Sequence, residues 1–227
     1  MLVSVIVPTY NEAESLPVLA ERLFAALQAA GLSGELVVVD DSSPDGTGDI
    51  AERLARKYPM QVLHRPPKSG LASAVVAGMA CARGEILVVM DADLSHPPEV
   101  VPRLVAPIAA GEADLAVASR YVRGGGVENW PFRRRFASWF ANLLARPFVP
   151  MRDATSGFFA LRREVIQGVA LDPIGFKIGL EVMAKGRYRR YAEVPYTFTD
   201  RRYGRSKFGP QEVRHYLRQL GRLLRKR

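Results

Sequence analysis

The segment 86–96 is the stretch that most constrains how this chain folds. A run of consecutive apolar residues begins at Ile86 and ends in two carboxylates, Asp91 and Asp93, which a single alanine separates. An unbroken apolar run of this kind is typical of a strand that is buried on both faces of a parallel sheet. In an open parallel sheet, ligands bind beyond the carboxyl ends of the strands. The two aspartates are therefore predicted to lie where a ligand binds.

Two interpretations of this aspartate pair are open. Carboxylates this close repel each other, and they are best tolerated beside a divalent cation or a group of hydrogen-bond donors. An oxygen-only pair suits Mg²⁺ or Mn²⁺ better than zinc. The alternative is a solvated turn leading into a helix that begins near Pro97 and Pro98, because Asp and Ser also cap helices.

Strand and helix patterns alternate four times over about 120 residues. The predicted strands are 3–7, 35–40, 60–64, 86–90 and 113–119, and the predicted helices are 16–30, 49–58, 71–82 and 98–110. This alternation predicts an α/β fold whose parallel sheet has helices on both faces. Neither common phosphate-binding loop, G-x-G-x-x-G or G-x-x-x-x-G-K-[ST], is present. Phosphates must be held in another way, which favours the metal interpretation of Asp91 and Asp93.

Charge is divided unevenly along the chain. The net charge is +9, yet residues 1–119 hold 8 Lys/Arg against 15 Asp/Glu (−7), and residues 120–227 hold 24 against 8 (+16). A basic half suits nucleic acid, an anionic membrane surface or phosphorylated substrates. Because the acidic half does not fit a duplex-binding protein, we expect a phosphorylated substrate and a membrane surface, and no nucleic-acid partner.

Length, cysteine content and hydropathy further limit the classes of protein to which the chain can belong. The 227 residues suffice for one domain with a substantial core. Cys81 is the single cysteine, which excludes an intrachain disulfide and suits a reducing compartment. The apolar start of the chain lacks the basic region of a secretory signal, and no apolar stretch reaches the roughly 18 residues of a membrane span. Neither a signal peptide nor a transmembrane helix is predicted.

Alternating residues predict two strands in the second half, at 153–161 and 192–199. Two basic segments of the same half are predicted to be amphipathic helices, at 132–146 and 211–226. The large apolar residues of the first are Phe136, Trp139, Phe140, Leu143 and Leu144. A basic helix with an aromatic face is typical of helices that lie in the plane of a membrane. Packing of that face into the core is the open alternative. We expect a peripheral location on the cytoplasmic side of a membrane, reached directly or through a membrane-anchoring partner protein.

Polar residues follow three of the predicted strands. The segment 8–12 follows the first strand, Asp40 and Asp41 follow the second, and the aspartate pair follows the fourth. Carboxylates accept hydrogen bonds from base and ribose groups, and a tyrosine can pack on a base. So many acidic groups at one sheet edge would repel one another without a cation and donors. Each residue alone could still be an ordinary turn or cap residue.

Seven motifs relate the chain to a known family. They are 7–12, 38–47, 65–71, 90–97, 119–121, 153–158 and 200–207. In this order they resemble glycosyltransferase family two, the nucleotide-sugar enzymes of the GT-A fold, and most closely its polyprenyl-phosphate mannose synthases. The resemblance implies a Rossmann-like, mostly parallel sheet flanked by helices. It also implies a single domain, 1–227, with a nucleotide-sugar half at 1–119 and a basic, membrane-proximal acceptor half at 120–227.

The resemblance further implies the residues that bind the donor. Those implied at the nucleotide are Pro8, Tyr10, Glu12, Asp40, Asp41, Lys68 and Gly70. Those implied at the diphosphate are Asp91, Ala92 and Asp93, with Mg²⁺ or Mn²⁺ as cofactor and Asp93 as its direct ligand. Ser95, a weaker ligand, stands where some members carry a glutamine that completes the metal shell.

The implied reaction is an inverting transfer of mannose from GDP-mannose to dolichyl or polyprenyl phosphate. The acceptor oxygen is already anionic near neutral pH, since the second pKa of a phosphate monoester is about 6. No general base is therefore assigned, and catalysis rests on alignment and charge. The residues assigned to the acceptor phosphate are Arg120, Arg134, Ser156, Arg201, Ser206 and Lys207. The residues assigned to catalysis are Asp91, Asp93, Arg120 and Arg201.

Three alternatives stand beside this reaction. The same lipid acceptor could be used with UDP-glucose or another nucleotide sugar. A basic nucleic-acid-binding module would bind oligonucleotides in a salt-sensitive manner without metal, but it gives the acidic strand ends no role. A nucleotidyltransferase would also need metal, but the glycine-rich N-terminal loop usual in such enzymes is missing here.

Overall fold

A computed structural model describes residues 1–67, 69–172, 177–200 and 210–225, without the side chains of 210–213 and 225. The strands are β1 (Leu2–Thr9), β2 (Ser33–Asp40), β3 (Met60–His64), β4 (Ile86–Val89), β5 (Leu115–Ser119), β6 (Gly126–Val127), β7 (Phe159–Arg162), β8 (Tyr191–Pro195) and β9 (Thr197–Phe198). The helices are α1 (Ser15–Ala29), α2 (Thr47–Ala55), α3 (Leu71–Cys81), α4 (Val101–Ala109), α5 (Phe132–Ala145), α6 (Ile178–Lys185) and α7 (Pro210–Arg225). Short 3-10 turns lie at Pro98–Val100 and Arg163–Val165.

The central sheet has the strand order β3-β2-β1-β4-β7-β5-β8. β1 pairs in parallel with β2 on one side and with β4 on the other. The strand order therefore reverses at β1, and such a reversal opens a crevice at the carboxyl ends of the strands. The α/β fold with a mostly parallel sheet is confirmed.

Alternate residues of β1 build the two layers of the core. Val5 and Val7 pack with α1 and α4 on one face, and Ile6 packs with α3 on the other. Successive strand residues point to opposite faces, so a strand that is covered on both sides must be apolar throughout. All residues of β4 and β5 are buried; β4 is apolar throughout, and β5 is apolar up to its last residue, Ser119.

Two strands of the second half differ from the sequence prediction. β7 lies antiparallel between β4 and β5, so the second half contributes to the interior of the sheet. The single strand predicted at 192–199 is wrong, because the structure divides it into β8, which pairs with β5, and β9, which pairs with β6. The division falls at Tyr196, whose N–H donates to Ser119 O and whose carbonyl accepts from Gly126 N. Tyr196 thus connects the two sheets.

The aromatic face of α5 points away from the core. We define the aromatic face as Phe132, Phe136, Trp139, Phe140 and Leu143, which are 40–79% exposed. α7 covers a different side of α5, where the Tyr216 hydroxyl donates to Ala141 O at 2.6 Å. Trp139 and the other residues of this face therefore do not pack into the core, whereas Leu144, predicted on the same side of the helix, packs against it. No helix within the described ranges is long and apolar enough to span a membrane.

Gly78 permits close contact between α3 and the sheet. A Cβ atom at this position would lie 2.5 Å from Ile6 Cγ2 and 3.0 Å from Val39 Cγ2. Gly78→Ala is therefore expected to lower the free energy of unfolding by about 1–3 kcal/mol, although alanine favours helices. Urea unfolding measures the loss. The control is Ala80→Gln at an exposed position of the same helix, and an equal loss there would contradict the packing argument.

Candidate functional site

The loops after β1 and β2 are tied together at the carboxyl edge of the sheet. Backbone N–H groups of the first loop donate to side chains of the second: Asn11 to Ser43 Oγ (3.0 Å), Glu12 to Thr47 Oγ1 (2.9 Å) and Ala13 to Asp45 Oδ2 (3.1 Å). Pro8, Tyr10 and Glu12 are part-buried along this rim. The structure therefore brings the residues predicted for the base and ribose to one place.

Asp40 and Asp41 shape the neighbouring loops. The Asp40 carboxylate is buried and accepts hydrogen bonds from Thr9 Oγ1, Ser43 N and Ser43 Oγ. The Asp41 carboxylate accepts from Gly70 N at 2.9 Å and lies 3.2 Å from Arg65 Nε. Three loop ends therefore meet around these two aspartates. Lys68, predicted beside them, lies outside the described residues.

Asp91 and Asp93 follow β4 at the reversal point of the sheet. Asp91 is part-exposed, whereas Asp93 is buried among neighbours that include Ala92. Ser95 fixes Asp93, because its N–H and its hydroxyl both donate to Asp93 Oδ1, at 3.0 and 2.6 Å. The Ser95 hydroxyl is therefore engaged with the predicted metal ligand itself. Its predicted role as a third ligand stays a prediction.

The chemistry of this donor set fits Mg²⁺ or Mn²⁺. These hard cations are bound through one or two carboxylates, and waters and substrate phosphates supply the remaining ligands. Asp91 and Asp93 provide two carboxylates just beyond a strand end, and the side chain of Asp91 is 39% exposed. Within the described ranges, no group of three His, Cys, Asp or Glu residues is arranged to hold a metal.

A buried ion pair connects the end of β5 to the segment before β7. Arg120 donates from Nε and Nη2 to the two oxygens of Asp153, each at 2.7 Å, and its backbone N–H donates to the same carboxylate. Burial alone would raise the pKa of Asp153, but the charge and hydrogen bonds of Arg120 hold that pKa below its usual range. Arg120 Nη2 also donates to Thr155 Oγ1. Arg120 therefore has a structural task besides its predicted contact with phosphate.

Arg134 and Ser156 differ in how far they are open to a ligand. Arg134 is part-exposed, pairs with Asp200 at 2.6 Å and lies 4.1 Å from the ring centroid of Trp130. Ser156 is buried, and its hydroxyl exchanges hydrogen bonds with the backbone of Phe158. Reaching a phosphate would require Ser156 to leave this turn. The other predicted acceptor residues, Arg201, Ser206 and Lys207, lie outside the described residues.

Lys177 is a cation at this edge that sequence reasoning missed. Its ammonium group donates to Thr155 O at 3.1 Å, and Asp91 and Asp153 act on it electrostatically. Burial, followed by the positive charge of Arg120, lowers the pKa of Lys177 to about 8. A lone lysine between two apolar segments gives no sequence signal. Only the folded structure, in which Lys177 lies close enough to Asp91 and Asp153 to interact electrostatically, identifies it as part of the site.

The lowered pKa of Lys177 predicts a dependence of stability on pH. Its ordinary pKa of 10.5 applies to the unfolded chain, which therefore binds more protons than the folded protein between about pH 8 and 10.5. Stability contributed by this group rises with pH in that window. Lys177→Met should remove the rise. The urea midpoints of the wild type and of Lys177→Met, determined between pH 8 and 10.5, measure this rise in stability. If the midpoints of the two proteins change with pH in parallel, the expectation is contradicted.

The segments that build this site are similar in sequence to a known protein family. A sequence profile described as Glycosyl transferase family 2 matches residues 4–169, which include the loops after β1, β2 and β4. The chain belongs to glycosyl transferase family 2. The chain is 51% identical over 229 residues to the dolichol-phosphate mannosyltransferase of Pyrococcus furiosus, covering 99% of the chain and 64% of that relative. The chain thus spans just under two thirds of the length of that protein.

A second relative supports this assignment, and a solved structure shows the same fold. The chain is 43% identical to the polyprenol monophosphomannose synthase of Mycolicibacterium smegmatis, over 92% of the chain and 82% of the relative. The glucosyl-3-phosphoglycerate synthase of Mycobacterium tuberculosis, crystallised with Mn²⁺, UDP and phosphoglyceric acid, superposes with a TM-score of 0.66 at 23% identity, over 99% of this chain and 77% of that one. This likeness confirms the GT-A fold that the sequence motifs implied.

Proposed function

We propose that this glycosyl transferase moves mannose from GDP-mannose to the phosphate of a polyprenyl or dolichyl phosphate. The observation that carries the proposal is the similarity, over nearly the whole chain, to relatives named dolichol-phosphate mannosyltransferase and polyprenol monophosphomannose synthase. In the reaction, an acceptor phosphate oxygen bonds to C1 of mannose. The bond from C1 to the donor diphosphate breaks, and GDP leaves with the electron pair. Attack opposite the leaving group inverts C1.

The first half of the chain supplies the proposed donor site. Pro8, Tyr10 and Glu12 offer a part-buried rim for the base and ribose. The Asp40 carboxylate already accepts three hydrogen bonds from protein groups, and these hold the loop after β2 in place. A hydrogen bond from the ribose would be a further contact of the same carboxylate. Asp91 and Asp93 would hold Mg²⁺ or Mn²⁺ together with the diphosphate. When bound, the cation neutralises the charge that develops on the leaving group.

The second half supplies cations for the acceptor phosphate. Arg120, Arg134 and Lys177 belong to elements that reach the same sheet edge, and Trp130 lies within 5.5 Å of both guanidinium groups. Two phosphates that meet in one site repel each other, and arginine is suited to bind them bidentately. Arg201, Ser206 and Lys207 remain predicted members of this group. No general base is needed, because the acceptor oxygen is anionic.

The aromatic face of α5 supports the proposed peripheral binding to a membrane. Its N-terminal turn carries Arg133, Arg134 and Arg135, and α7 adds the exposed Leu217 and Leu224. A helix with these properties binds at the interface through buried apolar area and attraction to anionic lipid. This surface would bring the lipid acceptor to the cations. The cytoplasmic side and an anchoring partner protein are part of the same proposal.

Removal of two aromatic rings should weaken membrane binding. Trp139→Ser with Phe140→Ser is expected to reduce binding to phosphatidylglycerol vesicles about 10-fold or more, since each buried aromatic side chain contributes about 1.5–3 kcal/mol. Vesicle co-sedimentation measures the change. Val18→Ser, at an exposed position of α1, is the control. Binding equal to the wild type in the double variant would place the membrane contact elsewhere.

The donor is identified by a competition assay. Differently labelled GDP-mannose and UDP-glucose are offered together with undecaprenyl phosphate and Mn²⁺, and product is extracted into organic solvent. We expect only the mannose label in the extract, with loss of that label when the lipid or the Mn²⁺ is omitted. If only the glucose label is extracted, the donor is UDP-glucose and not GDP-mannose. The absence of both labels from the extract would overturn the proposed reaction.

A further inference from the structure

His96 joins the two aspartates that follow β4 to the acceptor side of the site. The imidazole is only 3% exposed. Its Nδ1 lies 2.9 Å from the backbone nitrogen of Asp91 and accepts that N–H. A ring nitrogen that accepts a hydrogen bond carries no proton, so in the neutral imidazole the proton lies on Nε2. Asp91 Oδ2 is 3.7 Å from the same Nδ1.

This hydrogen bond closes the turn that carries the carboxylates. Met90 N donates to Ile6 O in the manner of a strand residue, so Asp91 N is the first amide beyond the sheet. The chain then turns through Leu94, whose φ of 63° is a conformation that costs a non-glycine residue free energy. The His96 side chain accepts the N–H of Asp91, and within the turn the Ser95 hydroxyl donates to the Asp93 carboxylate.

The ring of His96 packs within an aromatic cluster, which we define as Phe158, Tyr196, Phe198 and Trp130. It stacks on Phe158 at 4.9 Å between centroids, and the edges of Tyr196 and Phe198 approach it at 6.0 Å. Trp130 in turn lies 5.2 Å from Phe198. The guanidinium groups of Arg120 and Arg134 lie 5.9 and 5.7 Å from the Phe198 centroid. One imidazole thus contacts both the turn and the rings that support the arginines.

We infer that His96 is a positioning residue with two separable parts. Its Nδ1 atom fixes the turn 91–95 in the shape that binds the cation, whereas its ring packs against the aromatic cluster and contributes to stability rather than to cation affinity. The inference rests on the proposed function, because it takes the aspartate pair as the cation site. An ordinary core ring would contribute packing alone, and its nitrogen would be dispensable. The two variants below separate these roles.

The test compares His96→Phe with His96→Asn in the full chain. Phenylalanine keeps a ring but has no acceptor, whereas the Oδ1 of asparagine can accept the Asp91 N–H without a ring. Binding of Mn²⁺ in the presence of GDP is followed by electron paramagnetic resonance of the free ion. We expect His96→Phe to bind Mn²⁺ about 10- to 100-fold more weakly, as happens when groups that orient metal ligands are removed. His96→Asn should stay much closer to the wild type, and thermal melting checks the folding of both.

The outcomes separate this inference from the proposed function. If the wild type binds Mn²⁺ and His96→Phe binds it equally well, or if both variants lose the same affinity, the positioning role is overturned while the proposed function stands. If the wild type binds no Mn²⁺ with GDP, the cation site fails and the inference fails with it. Nitrogen chemical shifts of the wild-type imidazole give a test that needs no variant. The Nε2–H form is expected, and an Nδ1–H form would overturn the inference.

Discussion

Replacement of Asp93 by alanine is expected to reduce sugar transfer about 10²–10³-fold, a loss comparable with removal of one preorganised charge-stabilising group. Asp93 is buried, and two hydrogen bonds from Ser95 hold one of its oxygens in a fixed direction. Its side chain is therefore already oriented before a diphosphate arrives. In the proposed reaction Asp93 holds the cation, so its removal would leave the charge of the departing diphosphate unbalanced. Initial rates over a range of Mn²⁺ concentrations measure the effect.

The matched control for Asp93→Ala lies at the opposite end of the same strand. Glu85 directly precedes β4, and 70% of its side chain is exposed. Glu85→Ala removes the same charge outside the site, so its rate should stay within a few-fold of the wild type. Asp93→Asn keeps the shape of the side chain and removes only its charge. A wild-type rate in Asp93→Ala would remove this residue from the proposed metal site.

Replacement of Arg120 by alanine should lower the free energy of unfolding by about 3–5 kcal/mol, because it leaves a buried carboxylate without its partner. Asp153 is fully buried and receives three hydrogen bonds from Arg120. Only the one from the backbone N–H can survive the substitution. Urea unfolding measures the loss. Transfer activity should fall as well, since Arg120 is also assigned to the acceptor phosphate.

The sign of the pH dependence follows from the pKa of Asp153. In the wild type, Arg120 lowers this pKa, so the carboxylate adds stability that is lost as the pH falls. In Arg120→Ala, burial dominates and raises the pKa, so protonation relieves the buried charge as the pH falls. The difference in stability between the two proteins should therefore narrow towards acid pH. A constant difference would contradict the ion-pair explanation.

Arg134→Ala is the matched control for this pair. Arg134 and Asp200 also form an ion pair, but their side chains are 36% and 42% exposed. Exposed pairs contribute about 0–1 kcal/mol. The two variants remove the same residue type from pairs of similar length that differ in burial. Equal losses of stability would show that burial is not what makes the Arg120–Asp153 pair important.

The strands of the first half were predictable because their signals are local. The apolar runs of β2 and β4 end in Asp40 and Asp91, and strands buried on both faces must be apolar throughout. The motifs also implied the GT-A fold, which the comparison confirms. β7 is different. Its sequence predicted a strand near 153–161, but nothing within it indicated insertion between β4 and β5, because the choice of neighbours depends on the whole sheet.

The sequence alone determined which chemical groups occur at the strand ends, and the position of Asp91 and Asp93 follows from a local change from apolar to polar residues. The tertiary structure decided the partner of each group. It paired Arg120 with Asp153 across 33 residues, brought Lys177 near Asp91, turned the aromatic face of α5 outward and placed His96 against the Asp91 amide. The physical reason is that hydrogen bonds and burial depend on distance in space, which the order of strands fixes and the spacing of residues along the chain does not.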